Sequence, residues 1–480
     1  MREYKYQYID GQWREGTGSH MLENRNPYTG ELLYTYRSAS TADVDAAYAA
    51  AARAQKEWAK TSPHEKQGML EKLAQAVEEL REDAYECLIT EGGSTRPKAD
   101  FEVATCIEFI KRAMNFPLMM NGKIMPSNIP GKENFIYREP KGVICVIAPW
   151  NVPMLLAMRS VAPAIATGNA VVLKPATDTP GSAFLLAEAF DRAGFPPGLF
   201  NVIAGRGCDI GDYIVEHPVP SLISFTGSTE VGRRVGALAG GKIKDVSLEL
   251  GGNNVMIVLP DADIKEAAKA AVFGAFFHQG QVCMALNRII ACKEIYDAFI
   301  QKLVEIAGAL KVGDPADPET FIGPIINSQQ ADKIEKVVRD TIAAGAKVAL
   351  EGRREGNLIY PWILVDCTND MPAARQEIFG PAVCIIKAND EDEAVRIAND
   401  TEYGLSGSVF TGDLFHGIQV ARQVHTGMIH VNDQSINDEP HVMFGGEKCS
   451  GVGRFNDQWV VDKFTTEKWV SIQSCYRAFS

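Results

Sequence analysis

The chain has 480 residues, 46% of them hydrophobic and 23% charged. That length exceeds a single core and implies two or three domains, and the composition leaves no disordered tract. A net charge of −13 argues against nucleic acid and anionic membrane as partners, while still allowing a phosphate-bearing cofactor at one local positive site. Met1-Arg2-Glu3-Tyr4-Lys5-Tyr6 has no apolar signal core, no run approaches ~18 apolar residues, and ten cysteines without a C-x-x-C pair read as reduced thiols. These features predict a cytoplasmic protein without a metal site.

Residues 1–40 alternate short polar and aromatic pieces with turns at Asp10-Gly11 and Tyr28-Thr29-Gly30, the pattern of edge hairpins. Ser40-Thr41-Ala42-Asp43 opens an alanine-rich helix to about residue 60. Ser62-Pro63-His64-Glu65 opens another, with a cap, a proline at the first helical position and a glutamate three residues after the cap. Its apolar stripe is Met69, Leu70, Leu73, Val77 and Leu80. A third helix is expected from 97 to about 114, and the turn-rich stretch 121–140 reads as a projecting hairpin. From Gly142 apolar runs at 143–148, 170–174, 200–203 and 222–225 alternate with helical stretches, as in a parallel sheet covered on both faces. A second alternating series begins at 254–258, with helices at 264–277 and 295–309 and strands near 288–291 and 382–386. The run 465–472 is strand-like and suited to pairing with the hairpin or with another subunit.

Ligands of such sheets sit beyond the carboxyl ends of the strands. Asn151, just past the run 143–148, reads either as a donor to an oxyanion or as a turn former. Lys174 closes a buried strand and either reaches a ribose or phosphate or snorkels to solvent. The turn Phe225-Thr226-Gly227-Ser228-Thr229-Glu230-Val231-Gly232 runs from a strand into a helix start, which offers backbone N–H groups to a pyrophosphate. It lacks the G-x-G-x-x-G fingerprint and is a weak motif alone. Glu249, between Leu248 and Leu250, is either a general base with a raised pKa or a paired structural carboxylate. In Phe276-Phe277-His278-Gln279-Gly280-Gln281-Val282-Cys283-Met284, polar residues and a glycine interrupt the helical run and place the Cys283 thiol on a turn.

Taken together with Pro149-Trp150-Asn151, Lys174-Pro175, Leu248-Glu249-Leu250-Gly251-Gly252, Glu377-Ile378-Phe379-Gly380-Pro381 and Phe444-Gly445-Gly446, these stretches resemble, in order and over almost the whole chain, the signature series of the NAD(P)-dependent aldehyde dehydrogenases. The resemblance implies an α/β fold with two doubly wound parallel-sheet domains: a Rossmann-like cofactor domain (1–120 and 141–250) and a catalytic domain (251–440). It adds a small projecting β oligomerisation element (121–140 and 465–480), through which members assemble as homodimers or homotetramers.

The implied catalytic set is Cys283, Glu249 and Asn151. Cys283 attacks the aldehyde as thiolate, and the Asn151 amide and the Cys283 backbone N–H hold the oxyanion. Hydride passes to the nicotinamide, and Glu249 activates the water that hydrolyses the thioester to the free acid. Ile147, Trp150, Lys174, Thr177, Gly227, Ser228, Gly232, Glu377 and Phe379 are expected at NAD or NADP. Thr177 stands where NAD-preferring relatives often carry a glutamate, so use of both cofactors is expected, with the adjacent Asp178 partly restoring repulsion of a 2′-phosphate.

His278, where an asparagine is frequent, and Val431-Asn432-Asp433-Gln434-Ser435-Ile436-Asn437-Asp438-Glu439-Pro440-His441 are similar to the benzaldehyde, vanillin and salicylaldehyde dehydrogenase branch. An aromatic aldehyde is therefore the expected small-molecule substrate, in a pocket formed by Val152, Leu155, Arg159, Val282, Met284, Ile436 and Asn437. Residues 151, 155, 158 and 159 share a helix face. Arg159 either meets a ring substituent or forms an ion pair at the helix end. If it instead binds a distal carboxylate, the substrate is an aliphatic acidic semialdehyde. A silent binding protein on the same fold would have no need of Cys283, Glu249 and Asn151 together.

Overall fold

A computed structural model describes residues 7–477 and 479. The opening segment Met1–Tyr6, and positions 478 and 480 of the expected 465–480 element, lie outside the described residues. The chain is mixed α/β. Its first sheet has eight strands, whose parallel centre runs in the order Phe200–Val202, Ala170–Lys174, Val143–Ile147, Leu222–Thr226, Asp245–Glu249. The first four of these strands are largely apolar and buried on both faces, as a sheet flanked by helices requires, whereas Asp245–Glu249 starts exposed and is buried from Ser247 on. Register sets the site: Ile147 pairs with Lys174 and with Phe225, and Thr226 pairs with Glu249. The last residues of four neighbouring strands therefore open on the same edge.

The second sheet has seven strands, ordered Lys347–Leu350, Trp362–Cys367, Ala382–Ala388, Leu286–Cys292, Asn254–Val258, Gly407–Phe410, His430–Val431. The expectation of parallel sheets describes the interior of each and the edge strand His430–Val431, which runs parallel to Gly407–Phe410, but not the other edges. Gln7–Ile9 pairs antiparallel with Phe200–Val202, Gly451–Val452 with Asp245–Glu249, and Lys347–Leu350 with Trp362–Cys367. Antiparallel neighbours need no crossover helix, so short segments can close an edge.

The amino-terminal helices start where their caps predict. Ser40 and Ser62 each form a complete capping box, at Thr41–Trp58 and Pro63–Glu79. One helix, Arg81–Gly92, is additional to the expected three and ends on the left-handed Gly93. Lys123–Met125, Lys132–Pro140 and Thr465–Gln473 form a separate three-stranded sheet. The carboxy-terminal run thus pairs with the hairpin, from Thr465 opposite Pro140 to Gln473 opposite Lys132. It exposes Ile124 at 76%, Trp469 at 63% and Ile472 at 54%.

Candidate active site

The helix Ile264–Phe276 gives way to a tight turn, Phe277–Gly280, in which His278 (φ 51°) and Gln279 (φ 57°) are left-handed. Gly280 (φ +70°) follows, and a Cβ there would lie 2.3 Å from the Gly380 carbonyl, so glycine is required. Left-handed side chains cost energy, and here each is anchored. Gln279 Nε2 donates to the carbonyls of Gly93 (3.0 Å) and Pro324 (2.9 Å), and His278 Nε2 donates to that of Asn151 (2.8 Å). Gln281 Oε1 accepts from Ile326 N at 3.0 Å, and Asn254 Nδ2 donates to the Cys283 carbonyl at 2.7 Å. The half-buried Cys283 thus faces a cavity of about 940 Å³ from a turn bonded to Gly93, Asn151, Asn254, Pro324 and Ile326. Burial pushes its thiol up to about 12, with the Arg159 guanidinium pulling down and the Glu377, Glu249 and Asp438 carboxylates pushing further up.

Asn151 and Glu249 line the same cavity. Asn151 Nδ2 donates to the Gln281 carbonyl at 2.8 Å, two residues before Cys283. That leaves one amide hydrogen unassigned. Glu249 is buried, and neither carboxyl oxygen has a hydrogen-bond partner among the described residues. Burial raises it to about 8 against the attraction of Arg159 and Arg454. Space beside it is tight: a Cβ on Gly445 would come within 3.2 Å of Glu249 Oε1.

The cavity continues along the strand ends. Ile147, Trp150, Lys174, Thr177, Gly227, Ser228, Glu377 and Phe379 all line it. Lys174 is buried, donates to the Pro175 carbonyl (3.1 Å), and is depressed to about 8 by its burial. A single carbonyl leaves this ammonium with capacity for a hydroxyl or phosphate partner. Glu377 is raised to about 7 by burial and accepts from Gly252 N at 3.0 Å. Trp150 and Phe379 meet edge to face at 5.3 Å. Ser228 caps the helix Thr229–Gly241, whose positive end opens on the cavity. A buried amine, a carboxylate, an open helix terminus and the apolar walls Val231, Val235 and Leu238 fit a dinucleotide's hydroxyls, pyrophosphate and base.

Gly232 departs from its expected place. It does not line the cavity: a Cβ there would lie 2.2 Å from Leu250 Cδ2, so this glycine lets helix and sheet approach. None of the seven residues expected around the substrate lines the cavity either. Leu155, Val282 and Met284 are buried, whereas Val152 and Ile436 are partly buried and pack on the same core as Cys283. Asn437 is engaged by its own loop, donating to the Gln434 carbonyl at 2.9 Å.

Arg159 is 2% exposed, pairs with Asp438 at 3.0 Å, and lies over the rings of Phe444 (4.1 Å) and Phe455 (5.0 Å). The ion-pair reading of Arg159 therefore describes it, with a partner far along the chain and not at the helix end. Lys98, Glu102 and Asp438 were not legible as site residues. The signal was there for the first two: a lysine and a glutamate one helical turn apart on the face that carries Ala99, Val103 and Cys106.

The aldehyde dehydrogenase family model matches residues 13–470. A benzaldehyde dehydrogenase of Bacillus subtilis is 50% identical over 99% of both chains, and a vanillin dehydrogenase of Corynebacterium glutamicum is 49% identical over 97% of both. The crystal structure of an NAD-dependent benzaldehyde dehydrogenase from Corynebacterium glutamicum is similar with a TM-score of 0.91 and 45% identity, over 98% of this chain and 97% of that one.

Proposed function

Because the chain belongs to the aldehyde dehydrogenase family and is thus an oxidoreductase acting on aldehydes, we propose that it oxidises an aromatic aldehyde, benzaldehyde- or vanillin-like, to the free carboxylic acid with NAD or NADP. The observation that carries the reading is that Cys283, Glu249 and Asn151 share one cavity with a cleft suited to a dinucleotide. Cys283 Sγ gives its proton to solvent, bonds to the carbonyl carbon and gives a thiohemiacetal. The free N–H of Asn151 and the Cys283 backbone N–H donate to the oxygen that gains charge, each such donor contributing roughly 10²–10³ in rate. A bound nicotinamide supplies the acceptor for the hydride, and carbon is left at the thioester level. Glu249 takes a proton from water as the water attacks that thioester, releasing the acid and the Cys283 thiol.

Lys174 and Glu377 would hold the riboses and the helix end at Gly227–Ser228 the pyrophosphate, with Ile147, Trp150 and Phe379 as walls. Thr177 lines the cleft without a carboxylate, which supports use of both cofactors with NAD at least competent. NADP turnover below about a thousandth of the NAD kcat/KM, a gap of ~4 kcal/mol, contradicts that. The semialdehyde reading loses its basis, since the Arg159 charge is already matched by Asp438. Val152 and Ile436, partly buried on the same core as Cys283, are the apolar wall assigned to the aromatic ring.

A substrate panel followed at the absorbance of reduced nicotinamide tests the proposal. Benzaldehyde and vanillin should exceed short aliphatic aldehydes and acidic semialdehydes in kcat/KM; equal or better aliphatic turnover overturns the aromatic assignment. We further assign 1–120 and 141–250 to cofactor binding and 251–440 to catalysis, on the separation of the two sheets. A second copy is assigned to the exposed apolar face of the sheet Lys123–Met125, Lys132–Pro140 and Thr465–Gln473, within the element 121–140 and 465–480, giving a homodimer or homotetramer; a monomer in light scattering contradicts this. The ten free cysteines, most of them buried, favour a reducing cytoplasm, which cell fractionation checks.

A further inference from the structure

Behind the Asn151 loop lies a buried network that no step of the mechanism uses. Lys98 and Glu102 stand one turn apart on the helix Arg96–Ala113, with side chains 1% and 0% exposed. Glu102 Oε1 accepts from Met154 N (2.8 Å) and Leu155 N (3.3 Å), the first turn of the helix Pro153–Ala166. That helix has no side-chain cap of its own, because Val152 occupies the cap position. The other oxygen of Glu102 pairs with Lys98 Nζ, which also donates to Ser94 Oγ (3.0 Å) and to the Asn151 carbonyl (2.8 Å). From the opposite side His278 Nε2 reaches the same carbonyl at 2.8 Å. A carbonyl can only accept, so Nε2 carries the proton, and Nδ1 has no hydrogen-bond partner among the described residues. Both lone pairs of the Asn151 carbonyl are thus occupied, and the amides three and four residues on are held by the carboxylate that pairs with one of the donors.

A buried ion pair is a poor stability device, because desolvation offsets its attraction. Here it sits where a displacement would matter to chemistry. The same Asn151 whose carbonyl is clamped sends its amide to the Gln281 carbonyl on the Cys283 turn, and His278 belongs to that turn. We propose that His278 and the Lys98–Glu102 pair are positioning residues that fix the Asn151 amide relative to Cys283, making the oxyanion donor and the nucleophile two ends of one buried network. This rests on Asn151 acting as the oxyanion donor in aldehyde oxidation. Lys98, Glu102 and His278 do not line the cavity, so they act through Asn151 and not on the substrate.

The test compares a reaction that develops an oxyanion with one that does not. Alkylation of Cys283 by iodoacetamide forms an S–C bond as iodide leaves and the thiol proton goes to solvent, with no charge on a carbonyl oxygen. His278→Phe keeps a ring in place but removes the donor, and His278→Gln returns an N–H at similar reach. For His278→Phe the expected result is a fall in kcat of about tenfold or more, against ~10²–10³ for outright loss of an oxyanion donor. Its benzaldehyde KM and alkylation rate should stay within about threefold, and His278→Gln should recover most of the loss.

Lys98→Met should show the same split, and it carries the comparison if His278→Phe does not fold. Aldehyde kcat within about twofold of wild type in both variants overturns the proposal. So does a parallel fall of kcat and alkylation with a lowered Tm, which is the mark of a merely structural role. A wild-type protein that oxidises no aldehyde overturns the proposed function as well, whereas active wild type with unaffected variants overturns the positioning role alone.

Discussion

The turn that carries Cys283 and the seat that carries Glu249 face one cavity and are built in opposite ways. Around Cys283 every long polar side chain of the turn is anchored by at least one bond: Gln279 to Gly93 and Pro324, Gln281 to Ile326, His278 to Asn151, with the Cys283 carbonyl bonded to Asn254, although His278 Nδ1, Gln279 Oε1 and Gln281 Nε2 have no partner among the described residues. Glu249 has no hydrogen-bond partner on either oxygen among the described residues. The contrast follows from what each group is proposed to do. A nucleophile and its oxyanion donor gain from fixed geometry. A carboxylate that accepted several N–H bonds would be held at low pKa, whereas an unbonded one in a buried seat is raised to about 8, near where a base works best.

Removing the fixed half outright should have the largest effect. Cys283→Ala is expected to lower aldehyde oxidation by at least ~10³-fold while leaving NAD binding, measured by calorimetry, unchanged. Retained oxidation would mean the nucleophile lies elsewhere. Asn151→Ala should cost roughly 10²–10³ in kcat with little change in alkylation of Cys283, because alkylation makes no oxyanion.

Glu249→Gln attacks the unbonded half. Turnover should fall ~10²–10⁴-fold and the step affected should be hydrolysis, so that a first burst of reduced nicotinamide persists in stopped-flow traces. Loss of the burst itself would assign Glu249 to an earlier step.

Two smaller effects sharpen the contrast through pH and packing. A thiol raised to about 12 by burial is almost wholly protonated at neutral pH. In cofactor-free protein its alkylation should therefore climb about tenfold per pH unit from 7 to 10; a plateau near pH 7 contradicts the electrostatics described. The carboxyl at about 8 loses its proton as pH rises, so hydrolysis of the thioester should also quicken from pH 7 to 9. Gly232→Ala, which places a methyl against Leu250, should lower stability by ~1–3 kcal/mol without changing the cofactor preference. A Tm shift registers the first and a kcat/KM ratio the second.

Local rules carried the sequence a long way towards this site. Apolar runs located the strands Val143–Ile147, Ala170–Lys174, Leu222–Thr226 and Asn254–Val258, and with the first three the ends on which Asn151, Lys174 and Gly227 sit, whereas Glu249 was marked by its flanking leucines. Gly280 and its polar neighbours marked the turn before Cys283. What escaped was set by partners distant in sequence or by missing punctuation. Arg159 lies on the expected helix, but its counter-charge is Asp438, 279 residues away, and its neighbours are Phe444 and Phe455. The helix Arg81–Gly92 follows directly on Leu80 without a side-chain cap, so no start signal announces it. Gly232 reads as part of a phosphate turn because the sequence cannot show that Leu250 lies against it.

The most direct test of the account is the mass of the Glu249→Gln variant mixed with NAD and benzaldehyde and quenched within the first turnover. A benzoyl group on the peptide that holds Cys283, formed together with one equivalent of reduced nicotinamide per site, is the predicted result. Reduced nicotinamide without that adduct, or an adduct on another residue, would contradict it.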